Sequence, residues 1–226
     1  MKLKIRELLR LLFWPLIILC LVVITQSFFA YYTQGLSTLL DYLNAIIDLR
    51  EERTIGTWFE SILFVITGLS FFLVSRHPAL SKVGKTLLVL MAIGFCFLSA
   101  DEALVLHEFM GYELEQATGI VKDTALEQRG FSWVLIYAPA ALVIFALVSG
   151  QYRRMTKTSP NRAAGICWLL AWVAVELVVL FEVAVGWSIL QHAEVHIFAC
   201  FEEAMELVFI MLFYSANLLI AEQSEL

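Results

Sequence analysis

The sequence predicts an all-α membrane bundle of about six spanning helices, a single domain over residues 1–226, with both termini cytoplasmic and one amphipathic helix lying on the outer side. Three observations predict it. Of the 226 residues, 61% are hydrophobic and only 16% charged, whereas soluble domains run nearer half apolar and about a quarter charged. Apolar stretches of spanning length recur along the chain. Basic residues collect in every second connection between those stretches.

A spanning helix needs about 20 mostly apolar residues, and the first candidate covers about 11–32, with no charge between Arg10 and Asp41. Lys2, Lys4, Arg6 and Arg10 precede it as in a secretory signal. Its apolar run is too long for one, however, and no small-residue cleavage motif follows Thr25, so it is expected to stay as an anchor. After it, Leu36, Leu39, Leu40, Leu43, Ile46, Ile47 and Leu49 recur at helical spacing, with Asp41, Asn44, Asp48 and Glu51 opposite. That pattern predicts an interfacial helix over about 35–52. Further spans are expected at about 57–75, 84–108, 131–149, 163–186 and 195–221. Pro139 is expected to bend the fourth. The polar segment 109–130, with Gly111, Gly119 and Gly130, reads as an ordered outer loop holding a short helix. Ser188 and Gln191 have capping-box spacing just after Gly186 and predict a turn before the last span. Cys20, Cys96, Cys167 and Cys200 each sit in an apolar run with no paired spacing, as small apolar side chains rather than a disulfide or zinc framework.

Orientation follows from the basic residues. Lys2, Lys4, Arg6 and Arg10 precede span one; Arg76, Lys82 and Lys85 join spans two and three; Arg153, Arg154, Lys157 and Arg162 join spans four and five. These are eleven of the fifteen Lys and Arg residues. The opposite connections keep only Arg50, Arg53, Lys122 and Arg129. The positive-inside rule therefore puts the rich side in the cytoplasm. A bacterial inner (plasma) membrane is the expected location, with the periplasmic or extracellular side holding the acids.

Of 21 acids, only Glu7, Glu222 and Glu225 fall on the basic side. Glu60 begins span two, Asp101, Glu102, His107 and Glu108 end span three, and Glu176 and Glu182 lie in span five. Glu202, Glu203 and Glu206 follow His192, Glu194 and His196 in span six. Spans two and six begin outside while three and five end there, so four helices deliver acids to a similar depth. A carboxylate at the centre of a spanning helix costs about 2.5–3.5 kcal/mol, and eight facing lipid unpaired would cost on the order of 20 kcal/mol. They must face inward and need partners, yet no Lys or Arg lies in the apolar part of any span. Protons, water, histidine or a bound cation remain. At 100° per residue, His192, His196, Glu203 and Glu206 fall within roughly an 80° stripe of one helix. Asp101 and Glu108 are expected to share a face, flanked by Glu102 and His107. Taken singly, Glu176 reads as a protonated acid bonded to a neighbour, and Glu60 as a solvated or dipole-favoured acid of a first turn.

Taken jointly, Glu60, Asp101, His107, Glu108, Glu182, His192, His196, Glu203 and Glu206 read as metal donors. Carboxylate and imidazole together suit iron, manganese or zinc, and the predominance of carboxylate favours the first two. The layout is similar to two-metal carboxylate sites in helix bundles, although no Glu-x-x-His pair occurs. Glu102 and Glu202 are the expected general bases of a membrane metalloenzyme acting by oxidation or hydrolysis on a lipid or other apolar substrate, reached beside the interfacial helix. A cation or proton transporter is the second reading. An accessory or structural subunit, with calcium on the carboxylates, is the third, and the histidines speak against calcium. The net charge of -6 argues against nucleic acid. No phosphate loop, nucleophile elbow or dinucleotide fingerprint occurs.

Overall fold

The computed structural model describes residues 5–33, 37–39, 54–120, 131–158, 162–186 and 192–223. Among them are seven α-helices, one turn of 3-10 helix and no strand. The helices are α1 (Ile5–Thr33), α2 (Ile55–Val74), α3 (Lys82–Leu104), α4 (Leu106–Thr118), α5 (Val134–Thr158), α6 (Arg162–Gly186) and α7 (His192–Gln223), with the 3-10 turn at Phe131–Trp133. Five of them, α1, α2, α3, α6 and α7, are long and apolar enough to cross a membrane, as an integral membrane protein requires. α5 is a further long helix of 25 residues. Most of the expected interfacial helix at 35–52, and the turn with Ser188 and Gln191, lie outside the described residues.

Local chemistry sets the helix ends. Thr54 caps α2 by accepting from the Thr57 N–H at 3.3 Å, and Ser81 caps α3 by accepting from Gly84 N–H at 3.1 Å. The expected continuous span 84–108 is in fact broken. Val105 takes a left-handed conformation (φ 56°), ending α3 and starting α4 in another direction. Glu108 therefore belongs to α4, not to the face of α3 that carries Asp101.

The last helix is central. α7 packs against α1, α2 and α6, while α3 lies on α2 and α5 on α6 and α3. Ala164, Ala171 and Ala174 of α6 and Ala204, Ala216 and Ala221 of α7 are buried, and such small residues let helices approach closely. Phe71, Phe95, Phe213, Trp168 and Trp172 form an aromatic core through the middle. Gly68 of α2 lies against the Ala92 carbonyl of α3, where an added Cβ would sit at 3.0 Å. Tyr214 donates to the Leu9 carbonyl and holds α1 on α7. The other flank of α1 exposes Leu11, Trp14, Ile18 and Val22, side chains that a bilayer solvates. Cys20 and Cys200 are buried as expected; Cys167 is half-buried and Cys96 exposed.

Two registers set the functional geometry. Thr67 of α2 donates to the Ile210 carbonyl of α7, 143 residues later, at 3.5 Å. The two helices run parallel, and the same offset carries Glu60 to Glu203. On the other flank of α7, Phe181 of α6 meets Phe201, and Glu182 one residue on reaches Glu202.

Candidate metal centre

Glu60, Glu203 and Glu206 converge. One carboxylate oxygen from each lies within 4.8 Å of the others. The face of α2 explains why Glu60 points there: Thr57, Glu60, Leu63, Phe64, Thr67, Phe71 and Val74 are all buried at three- and four-residue spacing. Glu60 is 0% exposed, which overturns its reading as a solvated first-turn acid. Neither of its oxygens has a hydrogen-bond partner of acceptable geometry. Glu203 and Glu206, one turn apart on α7, are half-buried beside it.

Further acids close in from α3 and α6. Glu102 interacts electrostatically with Glu60, since the close α2–α3 packing at Gly68 sets the end of α3 against the start of α2. Glu182 reaches hydrogen-bonding range of Glu202. Four helices thus supply Glu60, Glu102, Glu182, Glu202, Glu203 and Glu206 to one end of the bundle. A buried carboxylate without a partner is costly, and it is tolerated when paired, protonated or bound to a cation. Three convergent carboxylate oxygens from two helices fit a divalent cation, for which oxygen donors suit manganese, iron, magnesium or calcium.

Asp101 and His107 bond to each other. Asp101 is buried, and its Oδ1 accepts from the backbone N–H of His107 at 2.7 Å. Its Oδ2 lies 3.3 Å from His107 Nδ1. The carboxylate thereby binds the first turn of α4 across the left-handed Val105, satisfying donors that every helix start leaves open. Burial lowers the His107 pKa, but the Asp101 hydrogen bond and charge outweigh it and raise it to about 9. Trp133 packs edge-on against His107, and Tyr137 against Trp133. Glu115 of α4 accepts from Ser132 N–H and Oγ–H, each at 3.2 Å, fastening α4 to the 3-10 turn. The side chains of Glu108, His192, Glu194 and His196 lie outside the described ones, so their expected part in the site stands as a reading of the sequence.

Toward the basic end, a dry layer lies below the carboxylates. Leu63 and Phe64 are buried one turn beyond Glu60, Leu207 and Ile210 one turn beyond Glu203 and Glu206, and Phe95 two turns from Glu102. Beyond that layer lies a second polar group. Asn217 Nδ2 donates to Ser70 Oγ at 2.8 Å, Ser70 donates to the Thr67 carbonyl at 2.7 Å, and Tyr152 donates to Asn217 Oδ1. Every member is buried. Tyr152 and Tyr137 were not singled out in the sequence; their spacing along the inward stripe of α5 is the signal that marks them.

Fold and site together define a class: an α-helical integral membrane bundle with a cluster of carboxylates at one end and an apolar middle. The chain belongs to the family DUF8692, a domain of unknown function, whose model matches residues 15–220. No curated protein and no solved structure matches it.

Proposed function

We propose that this protein is a membrane-embedded metalloenzyme that holds a divalent cation in the outer half of the bilayer and acts on a lipid or other apolar substrate. The observation that carries this reading is Glu60, a fully buried carboxylate whose only polar neighbours in reach among the described residues are other acids, Glu206 foremost, with one oxygen each of Glu60, Glu203 and Glu206 within 4.8 Å of one another. Glu60, Glu203 and Glu206 would hold the cation. Asp101 is left out of that set because both its oxygens are engaged by His107. A bound ion would supply Lewis acidity: activation of dioxygen if it is iron or manganese, of water if it is zinc. Iron or manganese is preferred, given so many oxygen donors. Glu102, and Glu202 with its neighbour Glu182, are the groups placed to take up and return a proton. In this reading α5 completes six spans, both termini are cytoplasmic by the positive-inside rule, and the membrane is a bacterial inner membrane.

The test is metal content of protein purified in detergent without chelator. The expected result is near-stoichiometric iron, manganese or zinc, lost in Glu60→Gln and Glu203→Gln proteins that still elute as folded species. A folded wild-type protein free of metal, which also fails to take up added Mn(II), overturns the proposal. Calcium alone would favour an accessory role.

A second reading, cation or proton transport, is favoured by the hydrogen-bonded file Thr67–Ser70–Asn217–Tyr152 on the basic side. The dry layer between that file and the carboxylates ranks it below the enzyme.

A further inference from the structure

His107 is the second residue of α4, just past the left-handed Val105. The buried Asp101 of α3 holds it twice, at the backbone N–H (2.7 Å) and at Nδ1 (3.3 Å). An ionised carboxylate accepts hydrogen bonds and donates none, so the Nδ1 proton points at Asp101. That contact fixes the tautomer and leaves Nε2 as the nitrogen open to other chemistry. Trp133 packs edge-on against the ring, with centroids 5.2 Å apart and planes at 67°, and so narrows the orientations the ring can take.

The ring belongs to the neighbourhood of the carboxylates. Glu206 and Glu102 both act on it electrostatically, and it acts on Glu206 in turn. Glu102 follows Asp101 in the chain, so the residue that holds the ring adjoins one that interacts with Glu60. Among the described side chains, His107 is the one imidazole at the acid end; His77 lies in the turn between α2 and α3, at the basic end. Three oxygen donors, one each from Glu60, Glu203 and Glu206, do not complete even a tetrahedral shell. A histidine that ligates a metal nearly always gives its other ring N–H to a carboxylate, a backbone carbonyl or water, and Asp101 already makes that contact.

We infer that His107 Nε2 is the nitrogen donor to the cation held by Glu60, Glu203 and Glu206, with Asp101 as the carboxylate that positions it. This assignment rests on the metalloenzyme reading. It narrows the cofactor to manganese, iron or zinc, because calcium and magnesium take oxygen donors. The ring stands outside the group of oxygens that lie within 4.8 Å of one another, so ligation draws the first turn of α4 toward α7 about the Val105 turn. The metal takes the place of a proton at Nε2, while the Nδ1 proton stays on the Asp101 contact. Asp101 thus acts through His107, which is why an acid buried beside the trio takes no place in it.

The test loads the full chain in detergent with Mn(II) and reads electron spin-echo envelope modulation, which reports nitrogen bonded to the ion. Wild-type protein should show a nitrogen coupling that changes when histidine alone is labelled with the heavier nitrogen isotope. His107→Gln should lose that coupling and bind Mn(II) more weakly. Asp101→Asn should keep the coupling while its Mn(II) affinity falls by about 10–100-fold, a pattern that a purely structural role for Asp101 would not give. Mn(II) bound without histidine coupling overturns the assignment and leaves the proposed function standing, as does a coupling that survives in His107→Gln. Tighter Mn(II) binding by His107→Gln also overturns it, since the ring would then be a counter-charge and not a ligand. If His107→Gln does not fold or holds no Mn(II), the double variant His192→Gln, His196→Gln decides. Coupling kept there supports His107, and coupling lost there overturns it. A folded wild-type protein that takes up no Mn(II) removes the metalloenzyme reading itself.

Discussion

Val105 is the one non-glycine residue with positive φ among those described. A β-branched side chain is a poor occupant of the left-handed region, which costs an ordinary L-residue roughly 1–2 kcal/mol. The conformation persists because Asp101 holds the next turn on both sides, through the His107 backbone N–H and the ring. Val105→Asn, which tolerates that region better, is expected to raise stability by up to about 1 kcal/mol, read as a shift in thermal unfolding in detergent. The His107 contact has a pH signature. Its folded pKa is raised from 6.5 to about 9, so protonation is favoured in the folded state. The stabilisation is complete below the unfolded value and is lost as pH rises through about 9. Wild-type thermal stability in metal-free buffer should therefore fall between neutral pH and pH about 9, and His107→Gln should remove that part of the slope. A slope unchanged by the substitution would mean that the ring is neutral at its Asp101 contact.

At the scale of elements, close helix approach decides where the acids meet. Gly68 lets α2 settle on the α3 backbone, and a Cβ there would stand 3.0 Å from the Ala92 carbonyl oxygen, which cannot turn aside as a side chain does. Gly68→Ala should cost about 1–3 kcal/mol, measured by denaturation in detergent. It should also weaken metal binding, since it moves Glu60 relative to Glu102. Much of this was legible in the sequence. Spans are long apolar runs, and the gathering of Glu60, Glu182, Glu203 and Glu206 at one depth follows from counting which helices begin and end on the same side. The break at Val105 was not legible. A valine carries no helix-stop signal, and the stop is imposed by a contact between Asp101 and a residue beyond it. The engagement of Asp101 was missed for the same reason, because an acid that ties down a helix start and one that binds metal look alike in a list of residues. Burial of Glu60 depended on the offset between α2 and α7, which is a property of packing and not of either helix alone.

Across the whole molecule, an apolar layer separates two polar regions, and it is what favours the proposed catalysis over transport. Glu60 and Glu206 lie on one side, and Thr67, Ser70, Asn217 and Tyr152 on the other. Between them stand Leu63, Phe64, Leu207 and Ile210, the last two 0% exposed. From Glu60 to Thr67 is two helical turns, about 10 Å of rise, with Leu63 and Phe64 on the buried face of α2 between them. A water or ion bridging that distance would have to open a packed interior, and apolar interiors without polar partners stay dry. Liposomes holding the wild-type protein should therefore keep an imposed pH gradient as well as protein-free liposomes do. Leu63→Asn with Leu207→Asn should weaken the barrier, since each brings an amide within reach of both polar regions, and the gradient should decay faster. Rapid decay with the wild-type protein, abolished by Glu206→Gln, would instead show that the layer opens in operation. It would also turn the polar file on the basic side from a helix-to-helix fastening into the lower half of a conduction path.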